Sequence, residues 1–165
     1  MFKKLSLLCG LIFLISLTAH AQDSDKVELY GGYSYMRFDS SPIVNMNGWL
    51  LSGEYKPTSW LGGVAEFGGE YGAGASVHTF LFGPQVSLNS RVSPFAHVLI
   101  GAAHFSANNG NLTDTSFSLA AGGGIDARIF HGVHWRIVQV DYVPTFFFNG
   151  RQDNGRASTG IVIKF

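Results

Sequence analysis

Ala157-Ser158-Thr159-Gly160-Ile161-Val162-Ile163-Lys164-Phe165 closes the chain, and its side chains sort by position into two kinds. Successive side chains of a strand point to opposite faces. Ala157, Thr159, Ile161, Ile163 and Phe165 therefore share one face, and Ser158, Gly160, Val162 and Lys164 the other. The same period of two recurs upstream. Val27, Leu29, Tyr33 and Tyr35 oppose Glu28, Gly32 and Ser34, while Trp49, Leu51 and Tyr55 oppose Ser52, Glu54 and Lys56. Leu61, Ala65, Phe67 and Tyr71 oppose Glu66 and Glu70; Phe117, Leu119, Ile125 and Ile129 oppose Gly122, Gly124, Asp126 and Arg128. Around Pro84, His97 and Arg136 the alternation blurs and either facing is open. A helical stripe is nearly absent, which makes the chain all-β.

Glycine and small polar clusters cut this pattern into eight segments: 26–38, 47–57, 60–71, 76–88, 92–106, 115–129, 133–147 and 155–165. Each is about ten residues or slightly more, the length of a tilted membrane strand. Short connections at 57–59, 89–91 and 130–132 alternate with longer ones at 39–46, 72–75, 107–114 and 148–154. Outer-membrane barrels alternate tight periplasmic turns with longer outer loops in this way, and an even strand count leaves both termini in the periplasm.

Composition narrows the class. The chain is 46% hydrophobic and 14% aromatic but only 13% charged, against a usual charged share of about 25%. Met1-Phe2-Lys3-Lys4, the apolar run Leu5 to Leu17, and Thr18-Ala19-His20-Ala21 read as a secretory signal peptide cut after Ala21. The domain expected is then 22–165. Cys9 is the only cysteine and lies in this leader, preceded by Leu8 rather than by the small residue that lipid attachment needs. The mature chain therefore has no thiol for a disulfide or a metal. Without Lys3 and Lys4, nine basic residues face eleven acidic ones, and no basic patch points to nucleic acid. After Ala21 no apolar run is long enough for a spanning helix.

An apolar, exported, helix-free chain can be a soluble sandwich, apolar side inward, or a membrane barrel, apolar side outward. Three features favour the barrel: aromatics near strand ends (Trp49, Tyr55, Trp60, Tyr71, Trp135, Tyr142), a glycine-rich polar face, and the final strand itself. Trp and Tyr suit the headgroup region, where a ring is half wet.

The last strand, ending on Phe165 with apolar residues at alternate positions before it, resembles the signal read by the barrel-assembly machinery. Residues 26–165 resemble the OmpA-like family of eight-stranded outer-membrane barrels. That resemblance is carried by Val27-Glu28-Leu29-Tyr30-Gly31-Gly32-Tyr33-Ser34-Tyr35, Pro94-Phe95-Ala96-His97, Gly122-Gly123-Gly124-Ile125-Asp126-Ala127-Arg128 and Gln139-Val140-Asp141-Tyr142. It implies a monomeric transmembrane up-and-down barrel among outer-membrane lipid and lipopolysaccharide, handled by the assembly machinery. It leaves the role open among anchors, adhesins and small pores. The peptidoglycan-binding domain of OmpA itself is not present in this sequence.

Eight strands enclose a lumen that side chains can fill. The expected inward set is Glu28, Glu54, Lys56, Glu66, Glu70, Gln85, Asp126, Arg128, Gln139, Asp141 and Lys164, read as a paired polar network, with an ion pathway as the alternative. Gly122-Gly123-Gly124 lacks a phosphate-loop pattern and reads as strand glycine. His104-Phe105-Ser106 resembles the His-x-Ser motif of PagL-type lipid A deacylases, but strand six offers Ser118, Leu119 and Ala120 where those enzymes carry glutamate. Asp114 is the nearest acid by sequence. His78, His97, His131 and His134 lack metal-ligand spacing, so neither cofactor nor metal is expected. The expected function is a structural or surface-interaction barrel without catalysis, with 39–46 and 107–114 as contact loops. The alternatives are a narrow solute or ion channel and a deacylase.

Overall fold

The computed structural model describes residues 26–165, and the leader read over 1–21, with Cys9, lies outside them. Eight strands follow one another: β1 (Val27–Phe38), β2 (Val44–Tyr55), β3 (Leu61–Gly72), β4 (Ala75–Ser87), β5 (Val92–Ala107), β6 (Leu112–Phe130), β7 (Val133–Thr145) and β8 (Gln152–Lys164). Each pairs antiparallel with the next, and β8 returns to β1 from Glu28↔Lys164 to Arg37↔Gly155. Phe165 extends this seam, its N–H donating to Val27 O at 2.8 Å. The sheet is a closed up-and-down barrel in which every strand has two neighbours, so no edge is left open.

The connections differ from the expected alternation of short and long. Residues 39–46 and 107–114 shrink to 39–43 and 108–111, because residues at their edges join the ladder: Phe38 pairs with Val44, and Ala107 with Leu112. The second expected loop is the two-residue hairpin turn Ala73-Gly74, both at positive φ (50° and 73°), as a tight primed turn requires. The odd-to-even connections still share one end of the barrel. This loop end carries the longest connection, 146–151; the other end is the turn end.

The apolar residues of the alternating pattern face outward, including Tyr33, Leu51, Phe67, Phe117, Ile161 and Ile163. This is the facing of a membrane barrel. Outward Tyr55, Trp60 and Trp135 stand near the turn end, Tyr71 and Tyr142 toward the loops, while Trp49 sits mid-strand against Gly69. The blurred strands now resolve. In β4 and β5 the inward residues include Thr79, Leu81, Gln85, Phe95, His97 and Leu99. In β7 a bulge falls between Arg136 and Gln139. It places Ile137 and Val138 both outward, 42% and 39% exposed. The inward parity thus switches from His134 and Arg136 to Gln139 and Asp141.

Inside, buried apolar side chains form three groups. Met36, Phe38, Met46, Val77, Ala103 and Phe147 cluster beneath the loops; Val64, Leu81, Leu99, Ala120 and Val143 form a second group and Tyr30, Leu50 and Val162 a third. Polar residues fill the space between.

Candidate functional site

The chemistry of this barrel is concentrated in its lumen. Of the expected inward set, Glu28, Glu54, Lys56, Glu66, Glu70, Gln85, Asp126, Gln139, Asp141 and Lys164 are all buried. Arg128 is the correction. It is exposed, lines the cavity at the turn end, and makes no ion pair among the described residues. Its parity matches Asp126, but two residues further along a strand is about 6.6 Å nearer the mouth.

The cations that hold the centre are Arg156 and Arg136, neither of which was in the expected set. Arg156, 1% exposed, bridges strands far apart in sequence. Its Nη2 donates to Glu66 Oε1 and, at 2.8 Å, to Asp141 Oδ2, while Nε reaches Asp141 Oδ2 at 3.2 Å. Asp141 also accepts from Gln139 Nε2 at 2.8 Å and faces His97 Nε2 at 2.8 Å. His97 Nδ1 lies 3.3 Å from Gln85 Oε1, and Gln85 Nε2 donates to Glu54 Oε2 at 2.6 Å. Near the turn end, Lys56 and Lys164 both contact Glu28 Oε1, at 2.5 and 2.7 Å, and Lys56 stands 3.9 Å from Glu54. One chain of contacts therefore runs from Lys164 to Glu66.

A branch starts at Gln139, whose Oε1 accepts from Arg136 Nη1 at 2.7 Å. Arg136 grips Asp126 with two parallel bonds, Nε to Oδ1 at 2.8 Å and Nη2 to Oδ2 at 3.1 Å. Its guanidinium lies between two rings, 4.4 Å from the Tyr30 centroid and 4.1 Å from that of Phe95. A planar, delocalised cation suits this slot, and an ammonium would not. Glu70 stands apart, accepting from Ser34 Oγ at 2.8 Å.

Six buried carboxylates (Glu28, Glu54, Glu66, Glu70, Asp126, Asp141) meet four buried Lys and Arg cations. Neutral donors cover the shortfall: the Gln85 and Gln139 amides and the Ser34 hydroxyl, with His97 able to donate to Asp141. Buried charges are tolerated only when paired and hydrogen-bonded like this. The glycines of β6 make the room. A Cβ at Gly122 would come 2.2 Å from Asp141 Oδ1, and one at Gly124 would come 2.8 Å from Phe95 Cζ.

The His-x-Ser pair faces the other way. His104 is outward, its Nδ1 at 2.7 Å from Thr115 Oγ1. Asp114 pairs with Phe105, the residue of opposite parity, and Asp114 Oδ2 accepts from Phe148 N–H. No carboxylate hydrogen-bonds His104 among the described residues, so the acid that would orient it is not in place. His78, the cross-strand partner of His104, faces Tyr71 Oη at 3.0 Å.

Sequence reading missed three members of this central network. Arg156 follows Asn154-Gly155, which resemble a turn, although its parity with Ser158 and Lys164 places it inward. Arg136 and His97 lay in the strands whose facing was open. No sequence signal pairs Glu66 with Arg156.

No protein-family model matches the chain, and no curated protein is significantly similar to it in sequence. Solved structures do match. Neisserial surface protein A superimposes with a TM-score of 0.74 at 13% identity, covering 87% of this chain and all of that one. The attachment invasion locus protein Ail of Yersinia pestis gives 0.60 at 18% identity over 84% of this chain and 97% of its own. The N-terminal β-barrel domain of Pseudomonas aeruginosa OprF gives 0.55 at 11% identity over 87% and 100%. At these identities the likeness is one of fold: the chain has the fold of the small eight-stranded outer-membrane barrels.

Proposed function

We propose that this chain is an exported outer-membrane barrel of structural or surface-interaction type, with a lumen that is filled rather than conducting. The observation that carries this is the Arg156 cluster. A fully buried guanidinium joined to Glu66 and Asp141, with Gln139 and His97 packed on the same carboxylate, spans the bore where an ion would have to pass. Above it, Phe38, Phe105 and Phe147 pack together with centroids 5.6–6.2 Å apart beneath the loops. An ion crossing would have to displace both layers.

In this reading residues 1–21 direct export and 22–165 form the barrel. Phe165, seated on the seam strand, is the assembly signal. The outward apolar wall lies among lipid and lipopolysaccharide as a monomer, with the loop end outside the cell. The contact surface then shifts from the two loops expected from sequence to the seam between the first and the last. Asp39 and Asn154 join them, Asp39 N–H donating to Asn154 Oδ1 at 2.9 Å. Ile43 of the first loop and Phe148 of the last stand exposed, at 49% and 53%.

Purified chain refolded in detergent and added to planar lipid bilayers tests the filled lumen. The expected record is a flat baseline under applied voltage. Reproducible single-channel steps with an ion preference would replace this reading by that of a narrow channel.

A further inference from the structure

Four cations gather around the turn-end mouth, and no carboxylate among the described residues lines it. The mouth is a cavity of about 280 Å³ whose wall includes Lys26, Lys56, Arg128, His134 and Lys164. Lys56 and Lys164 share Glu28, with Glu54 at 3.9 Å from Lys56. Those two carboxylates answer two of the cations. Lys26 and Arg128 are exposed and make no ion pair among the described residues, whose lining charges at this mouth are therefore in positive excess. His134, only 4% exposed, lines the same cavity.

The rim is also held in shape. Ser93 Oγ donates to Ser90 O at 2.9 Å and accepts from Ser90 N–H at 3.3 Å. Asn89 Nδ2 donates to Ser59 O at 2.9 Å, tying two turns together. A site whose walls are fixed before the ligand arrives spends less of its affinity on ordering.

We propose that this vestibule binds a small, doubly charged oxyanion: phosphate or a phosphate monoester. Arg128 and Lys26 meet it from the rim, His134 and Lys164 from the wall. A guanidinium fork matches two phosphate oxygens at once. The cavity has room for a group of that size with some of its water, since one water takes about 30 Å³ in the liquid. Membrane phosphodiesters carry one charge and are chemically distinct from this ligand.

The test uses the mature chain refolded in zwitterionic detergent and followed by backbone and histidine NMR resonances near neutral pH. Inorganic phosphate is titrated against chloride at matched ionic strength, with dimethyl phosphate as the singly charged control. Expected are saturable shifts confined to the neighbourhood of Ser90, Arg128 and His134, much weaker with dimethyl phosphate. Arg128→Gln and Lys26→Gln, both at exposed positions, are each expected to weaken phosphate by about tenfold. Arg151→Gln at the opposite mouth leaves it unchanged. Shifts that chloride reproduces, or that do not saturate, overturn the proposal. So does binding seen only in an Asp23→Asn/Asp25→Asn variant, because the chain's own acids would then hold the mouth. Conductance plays no part in this test, so its result stands whether or not the lumen is filled.

Discussion

Toward the turns the lumen is held by charge, and beneath the loops it is held by apolar contact. The first region is a chain of ion pairs and amides in which the inner members each contact two or three others, from Lys164 and Glu28 to Arg156 and Glu66. The second is Met36, Met46, Phe38, Val77 and Phe147, where no single contact specifies a partner. Apolar packing tolerates exchange of similar volumes. A buried ion-pair network does not, because removing one partner strands the others in a low-dielectric space. The ionic half should therefore fail abruptly and the apolar half by degrees.

The largest effect is expected from Arg156→Met. It leaves Glu66 and Asp141 facing each other without their cation, and breaking a buried pair costs about 3–5 kcal/mol. Urea unfolding in lipid vesicles, followed by tryptophan fluorescence, measures it. A loss below about 1 kcal/mol, the scale of an exposed pair, would mean that the charged half is not what holds the barrel. Phe147→Ala comes next, at about 2–3 kcal/mol. Large-to-small core changes of this kind reach about 3–5, but water can enter at the mouth and fill part of the space. The same variant sharpens the contrast in a second way. If the ionic layer seals the bore, its bilayer record stays flat; channel steps in Phe147→Ala alone would make the aromatic layer the seal.

The ease with which these two regions could be foreseen also differs. The facing of β1, β2, β3, β6 and β8 was legible because each puts apolar residues on one side and Glu, Ser, Gly or Lys on the other. The rule of polar inside and apolar outside then describes the charged half. It misses the region under the loops, where Met36, Met46 and Phe38 point inward on the polar parity, because the bore there is packed without ions. In β7 the bulge after Arg136 switches parity within one strand, and nothing in Ile137-Val138 announces which of them is extra. Arg128 was assigned to the right face and the wrong depth, since parity fixes a side chain's face and not its distance from the mouth. The Glu66–Arg156 contact depends on barrel closure, which joins residues 90 apart.

Arg136→Lys is a smaller perturbation within the ionic half. The charge stays, but the parallel bonds to Asp126 and the stacking on Tyr30 and Phe95 are lost. A cation over a ring contributes about 0.5–2 kcal/mol, so a loss of about 1–2 kcal/mol is expected in the same urea assay. A neutral result would show that the slot recognises charge alone and that the fork geometry is incidental.

The smallest effect belongs to the loop end, and its sign is the informative part. Phe148 sits at φ 52°, ψ 39°, a left-handed conformation that costs a non-glycine residue about 1–2 kcal/mol. Asp114 Oδ2 accepts its N–H, and Gln152 Oε1 accepts that of Phe147 at 2.9 Å, so the neighbouring structure holds the residue there. Its ring is exposed, packing edge-on against Phe105 at 5.8 Å. Phe148→Gly removes the strain and keeps the backbone bond, at the expense of that edge contact and of a more flexible unfolded chain. Those terms nearly offset, and the expected change is a gain of up to about 0.5 kcal/mol. Backbone strain of this kind clusters at binding and switch regions. If Phe148→Gly instead destabilises by more than about 1 kcal/mol, which is beyond the usual surface range, the ring belongs to the aromatic layer below it. The exposed seam of the first and last loops would then lose its strongest claim to be a contact surface.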